Sequence, residues 1–322
     1  MTQPVTRHVD AALADHSIAH IQSQADAVMD NAVPVIGVQH RSDQYYTYDS
    51  ALWNKRQARR RAPGDPAAKG GYSLSTATYT CELFSIAHKD PKEEQANADP
   101  ALDARLDATE WTAGQLLMEA DAQIAAAIMA AGVWDTDVDG VSSGAAVGTS
   151  VLHWSDSSSD PITDMVQLGG LVQTASTKLP NVAIIGRAVW EELINNAAII
   201  DRVKHTSSES ITKEMIARLF EVEKVIVPML TNNTAAEGQT ATMARLFNSD
   251  DVGLFYFPPN PGLRTPSAAY VYGFDGDDYT RGSRVSTWYD PDTNSDMTQN
   301  DLYIDVKITG TSFGAFIDGA IA

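Results

Sequence analysis

A single cysteine, Cys81, stands in 322 residues, which excludes an internal disulfide and points to a reducing compartment. No run approaches the ~18 consecutive apolar residues that a membrane-spanning helix needs. Residues 1–7 also lack the apolar stretch of a secretory signal. A soluble protein made in a cytoplasm is therefore expected, and the sequon at Asn232-Asn233-Thr234 carries no meaning there. The seven histidines show no H-x-x-x-H or C-x-x-C spacing, so no zinc site is expected. A phosphate-binding loop is missing, and Gly169-Gly170 is too little for a dinucleotide fold. Internal repeats and coiled-coil heptads are absent as well.

Basic residues are scarce. Lys and Arg total 23 against 42 Asp and Glu, a formal net charge of −19, so the surface as a whole repels nucleic acid and anionic membrane. Hydrophobic residues at 43% and charged ones at 20% fit a globular protein of one large or two modest domains. Against that acidic background, Lys55, Arg56, Arg59, Arg60 and Arg61 crowd into seven positions. A charge run is usually a solvated face. A positive run on a negative protein also fits an acidic patch on another copy. It fits DNA less well, because phosphate contact must overcome the field of the remaining surface.

The position of that run matters. Residues 44–49 and 72–80 are rich in aromatic and β-branched residues, as strands prefer. Trp53 and the basic run lie between them, followed by Pro63, Gly64 and Pro66. The pattern predicts a long hairpin with a cationic tip. A two-stranded ribbon is marginal in water, and its edges offer unpaired backbone groups to a neighbour. Such an arm suits a subunit that grips other subunits.

Residues 1–32 carry apolar positions at helical spacing and predict a helical arm. A second predicted helix, the longest, runs from Pro100, capped by Asp99, to Ala131, before Gly132. At ~1.5 Å per residue it would be roughly 50 Å long, a spine across the molecule. Its predicted stripe includes Leu102, Leu106, Leu116, Ala120, Ile124 and Ile128. Residues 133–159 are Gly-, Ser- and Asp-rich and read as loop. Helices are expected from Asp160-Pro161, around Val189 to Ile194, and over 212–220. Strands are expected at 81–87, 182–186, 222–228, 252–257, 269–272 and 302–308. Helices and strands mix without a repeating βα unit, which predicts an α+β fold.

Two motifs suggest chemistry, and each has a simpler reading. Gly140 to Gly144 matches G-x-S-x-G around Ser142, but that motif needs a core strand before the serine and a helix after it. Residues 134–139 do not read as a core strand, so a flexible Ser/Gly loop is expected. Asp135, Asp137, Asp139 and Gly140 resemble the opening of a calcium loop, yet Ala146 stands where a bidentate Glu should close the shell. An Asp-rich turn is the simpler account. Trp154 and Trp190 sit among apolar residues and read as core. No catalytic residue, cofactor or metal is expected.

The order of elements and the residues over 152–274 resemble the major capsid proteins of tailed bacteriophages with the Hong Kong 97 fold. The carrying segments are Trp154-Ser155-Asp156, Asp160 to Asp164, Leu179 to Gly186, Val189 to Leu193 and Ile199 to Lys204. Ile211 to Phe220, Val225-Ile226-Val227, Val252 to Phe257 and Pro266 to Tyr270 complete them. The resemblance implies an N-terminal arm over 1–32, an E-loop hairpin with its flanks over 33–89, and a peripheral domain with the spine helix over 90–154. It further implies an axial domain over 155–270, whose polar insertion at 231–240 would line a capsomer centre, and a return to the peripheral sheet over 271–322.

The implied function is a structural, non-enzymatic shell subunit, assembling as hexamers and pentamers of an icosahedral head around double-stranded DNA. Trp53, Lys55, Arg56, Arg59, Arg60 and Arg61 at the E-loop tip would contact a neighbouring subunit. Separate scaffolding, portal and decoration proteins would be its partners, and the virion, assembled in the host cytoplasm, its location. Some family members cross-link Lys to Asn between E-loop and peripheral domain. Lys69, Asn294 and Asn300 carry no motif for this, and no cross-link is expected. The alternatives are an encapsulin-like nanocompartment shell and, from another class, a serine hydrolase using Ser142.

Overall fold

The computed structural model describes residues 27–48, 54–71, 74–97, 104–203, 211–276 and 279–322. The expected arm over 1–32 therefore lies outside the described residues except for 27–32. The chain is followed from one helical turn, α1 (Val28–Asn31), into strand β1 (Val35–Val38). Strands β2 (Ser42–Tyr48) and β3 (Leu74–Thr80) pair antiparallel as the expected ribbon, with Ser42 opposite Thr80 and Tyr48 opposite Leu74. After β4 (Glu82–Pro91) and the short helix α2 (Lys92–Asn97) comes the spine, α3 (Ala104–Ile128).

Ala108, Thr112, Leu116, Ala120, Ile124 and Ile128 recur at every fourth position of α3, and all six are buried. The helix is described over 25 residues, about 37 Å, and ends at Ile128, three residues before the expected Ala131. Asp99 and Pro100 lie outside the described residues. At the other end the chain leaves the helix after Ile128, whose carbonyl accepts the Trp134 indole N–H at 2.8 Å. Gly132 then turns the chain with a φ of 78°. Leu106, expected in the apolar stripe, is 54% exposed. It stands two positions from Ala108 and so faces about 200° away around the helix.

Two sheets follow. Strands β5 (Thr136–Val141) and β6 (Ser150–Leu152) lead to helix α4 (Pro161–Ser176), where Asp160 caps the Thr163 N–H. Buried β7 (Val182–Ile185) runs into α5 (Arg187–Asn195) and α6 (Ala197–Val203). Helix α7 (Lys213–Leu219), capped by Thr212, precedes β8 (Lys224–Ile226). The polar insertion forms a small hairpin of β9 (Thr231–Asn233) and β10 (Met243–Arg245). The remaining strands are β11 (Val252–Phe255), β12 (Ala269–Phe274), β13 (Ser283–Asp290), β14 (Ser295–Ile308) and β15 (Gly314–Asp318).

In the first sheet, β14 is central. Its first part runs between β13 and β4, and its last residues pair with β12, which β1 joins in parallel. The second sheet has the order β6-β5-β15-β11-β7-β8. Val182, Ile184, Phe255 and Phe316 of the second sheet share one core with Val271, Leu302 and Ile304 of the first and with Leu116 and Ile124 of α3. The other face of the second sheet packs under α4 to α7, around Trp154, Met165, Leu193 and Ile216. Trp154 and Trp190 are core residues, as expected.

The stretch 133–159 is not simply loop. β5 lies inside the second sheet, parallel to both β15 and β6, with Val138 fully buried. Its strand partner β15 lies some 180 residues away, and such pairing outweighs the local turn preference of Asp and Gly. Consequently the sequence boundary placed between 154 and 155 runs through the sheet, because β5, β6 and β15 all belong with β7 and β11. No helix among the described residues is long and apolar enough to cross a membrane.

Candidate self-association surface

The ribbon has two halves with different surroundings. Its root is packed against its own subunit. Tyr45 and Tyr79 are buried against Tyr272, with ring centroids 5.5 and 4.7 Å from it. The Tyr79 hydroxyl donates to the His40 carbonyl at 3.2 Å, and the Thr80 N–H donates to the Asp305 carboxylate at 2.8 Å. Arg41 stacks over Tyr303 at 4.5 Å from the ring centroid. Cys81 is buried in the same cluster and donates to the Tyr272 carbonyl at 3.4 Å. Burial, with Asp305 nearby, pushes its thiol up to about 11, so it stays protonated and inert at neutral pH. Period-two alternation explains the split: Tyr45 and Tyr79 turn inward, while Tyr46 is 41% exposed.

The tip is different. From 54 to 71 every residue is exposed except half-buried Gln57. Lys55, Arg56, Arg59, Arg60 and Arg61 are all among the exposed ones, and so is Lys69. Trp53 lies outside the described residues. Gln57 shapes the loop: its amide donates to the Gly71 carbonyl and accepts the Gly71 N–H, both at 2.8 Å. A Cβ on Gly70 would stand 2.3 Å from the Gln57 amide oxygen, so a larger residue there would push the Gln57 side chain out of this pairing. This clamp leaves Lys55, Arg56, Arg59 and Lys69 around a single hollow.

Helix α1 is tied to α3 by an anchor that the sequence did not reveal. Asp121, fully buried in α3, accepts the backbone N–H groups of Val28 and Met29, each at 2.8 Å. A carboxylate from the middle of one helix thus caps the start of another. Asp121→Asn leaves one oxygen for two donors. A loss of about 1.5–3 kcal/mol is expected, because hydrogen bonds to charged groups are the strong ones. Thermal denaturation, with hydrogen exchange at Val28 and Met29, would check it; unchanged protection at those amides would count against the anchor.

The candidate chemical motifs do not converge on a site. A strand, β5, does precede Ser142, contrary to expectation, but residues 143–149 are irregular and Ser142 is exposed on an open loop. The nucleophile turn lacks its helix. Asp135, Asp137 and Asp139 lead into or lie along β5, where alternate side chains are spaced about 7 Å apart rather than gathered by a loop. Gly140 serves close packing: a Cβ there would stand 1.7 Å from the Gly319 carbonyl oxygen. Burial, with Asp139 and Asp318 alongside, raises the Asp137 carboxyl above its usual range. Asn300 is buried, donating to the Thr112 hydroxyl at 2.7 Å, and Asn294 donates to Glu93 at 2.8 Å.

No family model matches the chain, and no curated protein matches it. Solved structures do. A phage-related protein from Bordetella bronchiseptica RB50 is similar over 98% of both chains, with 21% identity and a TM-score of 0.71. The capsid of the cyanophage P-SCSP1u is similar over 92% of this chain and 89% of its own, with 11% identity and a TM-score of 0.57. A virus-like particle from Pyrococcus furiosus is similar over 96% and 97%, with 12% identity and a TM-score of 0.52. The α+β fold read from the sequence is thus the fold of phage capsid proteins, present along nearly the whole chain.

Proposed function

We propose that this chain is the major capsid protein of a tailed phage, a structural subunit that assembles as hexamers and pentamers of an icosahedral head enclosing double-stranded DNA. The observation that carries the proposal is a capsid fold over nearly the whole chain, joined to a cationic ribbon tip that is exposed among the described residues. The first sheet with α3 would be the peripheral domain, the second sheet with α4 to α7 the axial domain, and β2–β3 the E-loop. Trp53, Lys55, Arg56, Arg59, Arg60 and Arg61 would meet a neighbouring subunit. The role is mechanical and needs no catalysis. Many modest contacts, repeated by symmetry, would give a durable closed shell. A net charge of −19 suits a container whose wall should not trap DNA during packaging. Scaffolding, portal and decoration proteins would be separate partners, and the virion, built in the host cytoplasm, the location.

A nanocompartment shell is the alternative reading. The higher TM-scores to the phage-related and cyanophage proteins favour the head. Expression alone should yield rings, tubes or closed shells in the electron microscope. A monomer that persists across salt and pH would sink the proposal. Particles from the native source that protect DNA from nuclease would point to a head, and particles filled with one enzyme to a nanocompartment.

A further inference from the structure

We infer that the hollow at the ribbon tip binds a short phosphate chain, the di- or triphosphate group of a small multivalent anion. The site lies within one subunit, so the inference does not depend on the shell reading. The hollow measures about 490 Å³, inside the range of roughly 300–1,000 Å³ usual for small-molecule sites. Lys55, Arg56 and Arg59 line it from the outgoing limb of the loop, and Lys69 from the returning limb. Between the limbs the chain reverses at a turn, where the Asp65 N–H donates to the Ala62 carbonyl at 3.2 Å.

Like charges gathered around one hollow repel one another, and no acidic residue among the described lining offsets them. None of the four cations makes an ion pair among the described residues. Asp65, the one carboxylate of residues 54–71, stands at the turn and outside the lining. What gathers the cations is Gln57. Its paired bonds to Gly71, both at 2.8 Å, tie the two limbs together. The charges are thus brought together on folding, and a ligand need not order them.

The chemistry of the lining selects the ligand. Arginine presents a planar fork of N–H donors that matches phosphate oxygens in pairs, and lysine adds a compact charge. A chain of two or three phosphoryl groups carries several charges and can engage both limbs at once. A nucleic-acid strand would run past the hollow on to a chain bearing 42 acidic residues, which its own phosphates avoid. A short anion ends within the tip, and a Debye length of about 8 Å at physiological salt screens it from the acidic body. Arg60 and Arg61 lie outside the lining and stay available to another copy.

The test is titration calorimetry of the full chain with tripolyphosphate. R56Q/R59Q and R60Q/R61Q each remove two charges from the same run, but only the first pair lines the hollow. The first should weaken binding about tenfold or more, the second less than about threefold. Gln57→Ala removes no charge but opens the clamp, and should weaken binding about threefold to tenfold. All three should melt within about 2 °C of the parent, because the substituted cations are exposed and the Gln57 pairing is local to the tip. ATP without magnesium should bind within about threefold of tripolyphosphate, since no described lining residue is aromatic. Equal losses in the two double variants, or unchanged binding in Gln57→Ala, would overturn a built site and leave only a diffuse positive field. ATP binding more than about tenfold tighter than tripolyphosphate would overturn recognition of the phosphate chain alone. Hexaglutamate, or an oligothymidylate of about twelve nucleotides, binding as tightly as tripolyphosphate would overturn it as well. A parent chain that binds no tripolyphosphate rejects the site and leaves the shell reading untouched.

Discussion

A chain in which a two-residue turn replaces residues 54–71 should remain a folded subunit and lose assembly altogether. The described contacts of this segment are its own: the Gln57–Gly71 pair and the Asp65 N–H to the Ala62 carbonyl at 3.2 Å. Folding therefore forfeits little when it goes. The ribbon root would still be held by Tyr45, Tyr79 and the Thr80–Asp305 bond. A melting temperature within about 2–4 °C of the parent is expected, since surface changes away from packed groups cost well under 1 kcal/mol. Assembly should respond in the opposite way. The exchange removes the only dense cluster of cations on a chain with 42 acidic residues, leaving like-charged subunits facing one another. Calorimetry and sedimentation of the same preparation separate the two effects. Abundant shells from the shortened chain would show that the tip has no part in the contact between copies. An unfolded chain would show that the segment stabilises its own subunit.

What the sequence revealed, and what it hid, follows from where the determining contacts lie. Helix α4 was legible because Asp160, Pro161 and an apolar stripe are local signals, and the helix does open there, with Asp160 as its cap. Helix α7 lies within the expected 212–220, where Thr212 caps it, and the ribbon strands were legible from their aromatic and β-branched residues. By contrast, β5 is a strand of Thr, Asp, Val and Gly whose partner β15 lies near the other end of the chain. Nothing local marks it. The first half of β14 reads Ser-Asp-Met-Thr-Gln-Asn-Asp, a poor strand by propensity, yet Ser295, Thr298, Asn300 and Asp301 are buried there. They are tolerated because side chains far away in sequence satisfy them, as Thr112 does for Asn300.

The same rule governs the candidate surface. The cations of the tip were visible as a charge run, but the residue that shapes the loop was not. Gln57 looks like any polar residue until Gly71 is brought opposite it, and the neighbouring Gly70-Gly71 pair was the one available hint. Asp121 was hidden in the same way inside an otherwise ordinary helix. The expected ribbon proved less detached than a bare hairpin, because six tyrosines (Tyr45, Tyr79, Tyr270, Tyr272, Tyr279 and Tyr303) contribute to one cluster at its root. That arrangement separates a fixed base from a free tip, which lets an exposed arm be aimed without being anchored along its length.

Replacing Asp301 should cost more stability than any surface change, and the loss should depend on pH in a defined direction. Asp301 is 1% exposed in β14. Its carboxylate accepts hydrogen bonds from Ser85, from Gln299 at 2.6 Å, from Arg284 at 2.8 Å and from Tyr279 at 3.1 Å. Burial alone would raise its pKa, but the four donors outweigh burial and hold the carboxyl below its usual range. Asp301→Ala strands a guanidinium and three further donors around a void, and a loss of about 3–5 kcal/mol is expected at pH 7. The sign with pH follows from linkage. A carboxyl whose folded pKa is depressed stabilises the fold above its unfolded value of about 3.9, and that stabilisation is lost as pH falls through the folded pKa. The gap between parent and Asp301→Asn should therefore be full at pH 7 and shrink progressively below about pH 4. Asp137, Asp164 and Asp251 have raised carboxyls and act in the opposite sense, but they are common to both proteins and cancel in the difference. Denaturant unfolding of the two chains across pH 2–7 would read it directly. A gap that stayed constant over that range would mean that Asp301 contributes shape and not charge, and the donor network would have to be assigned a packing role only.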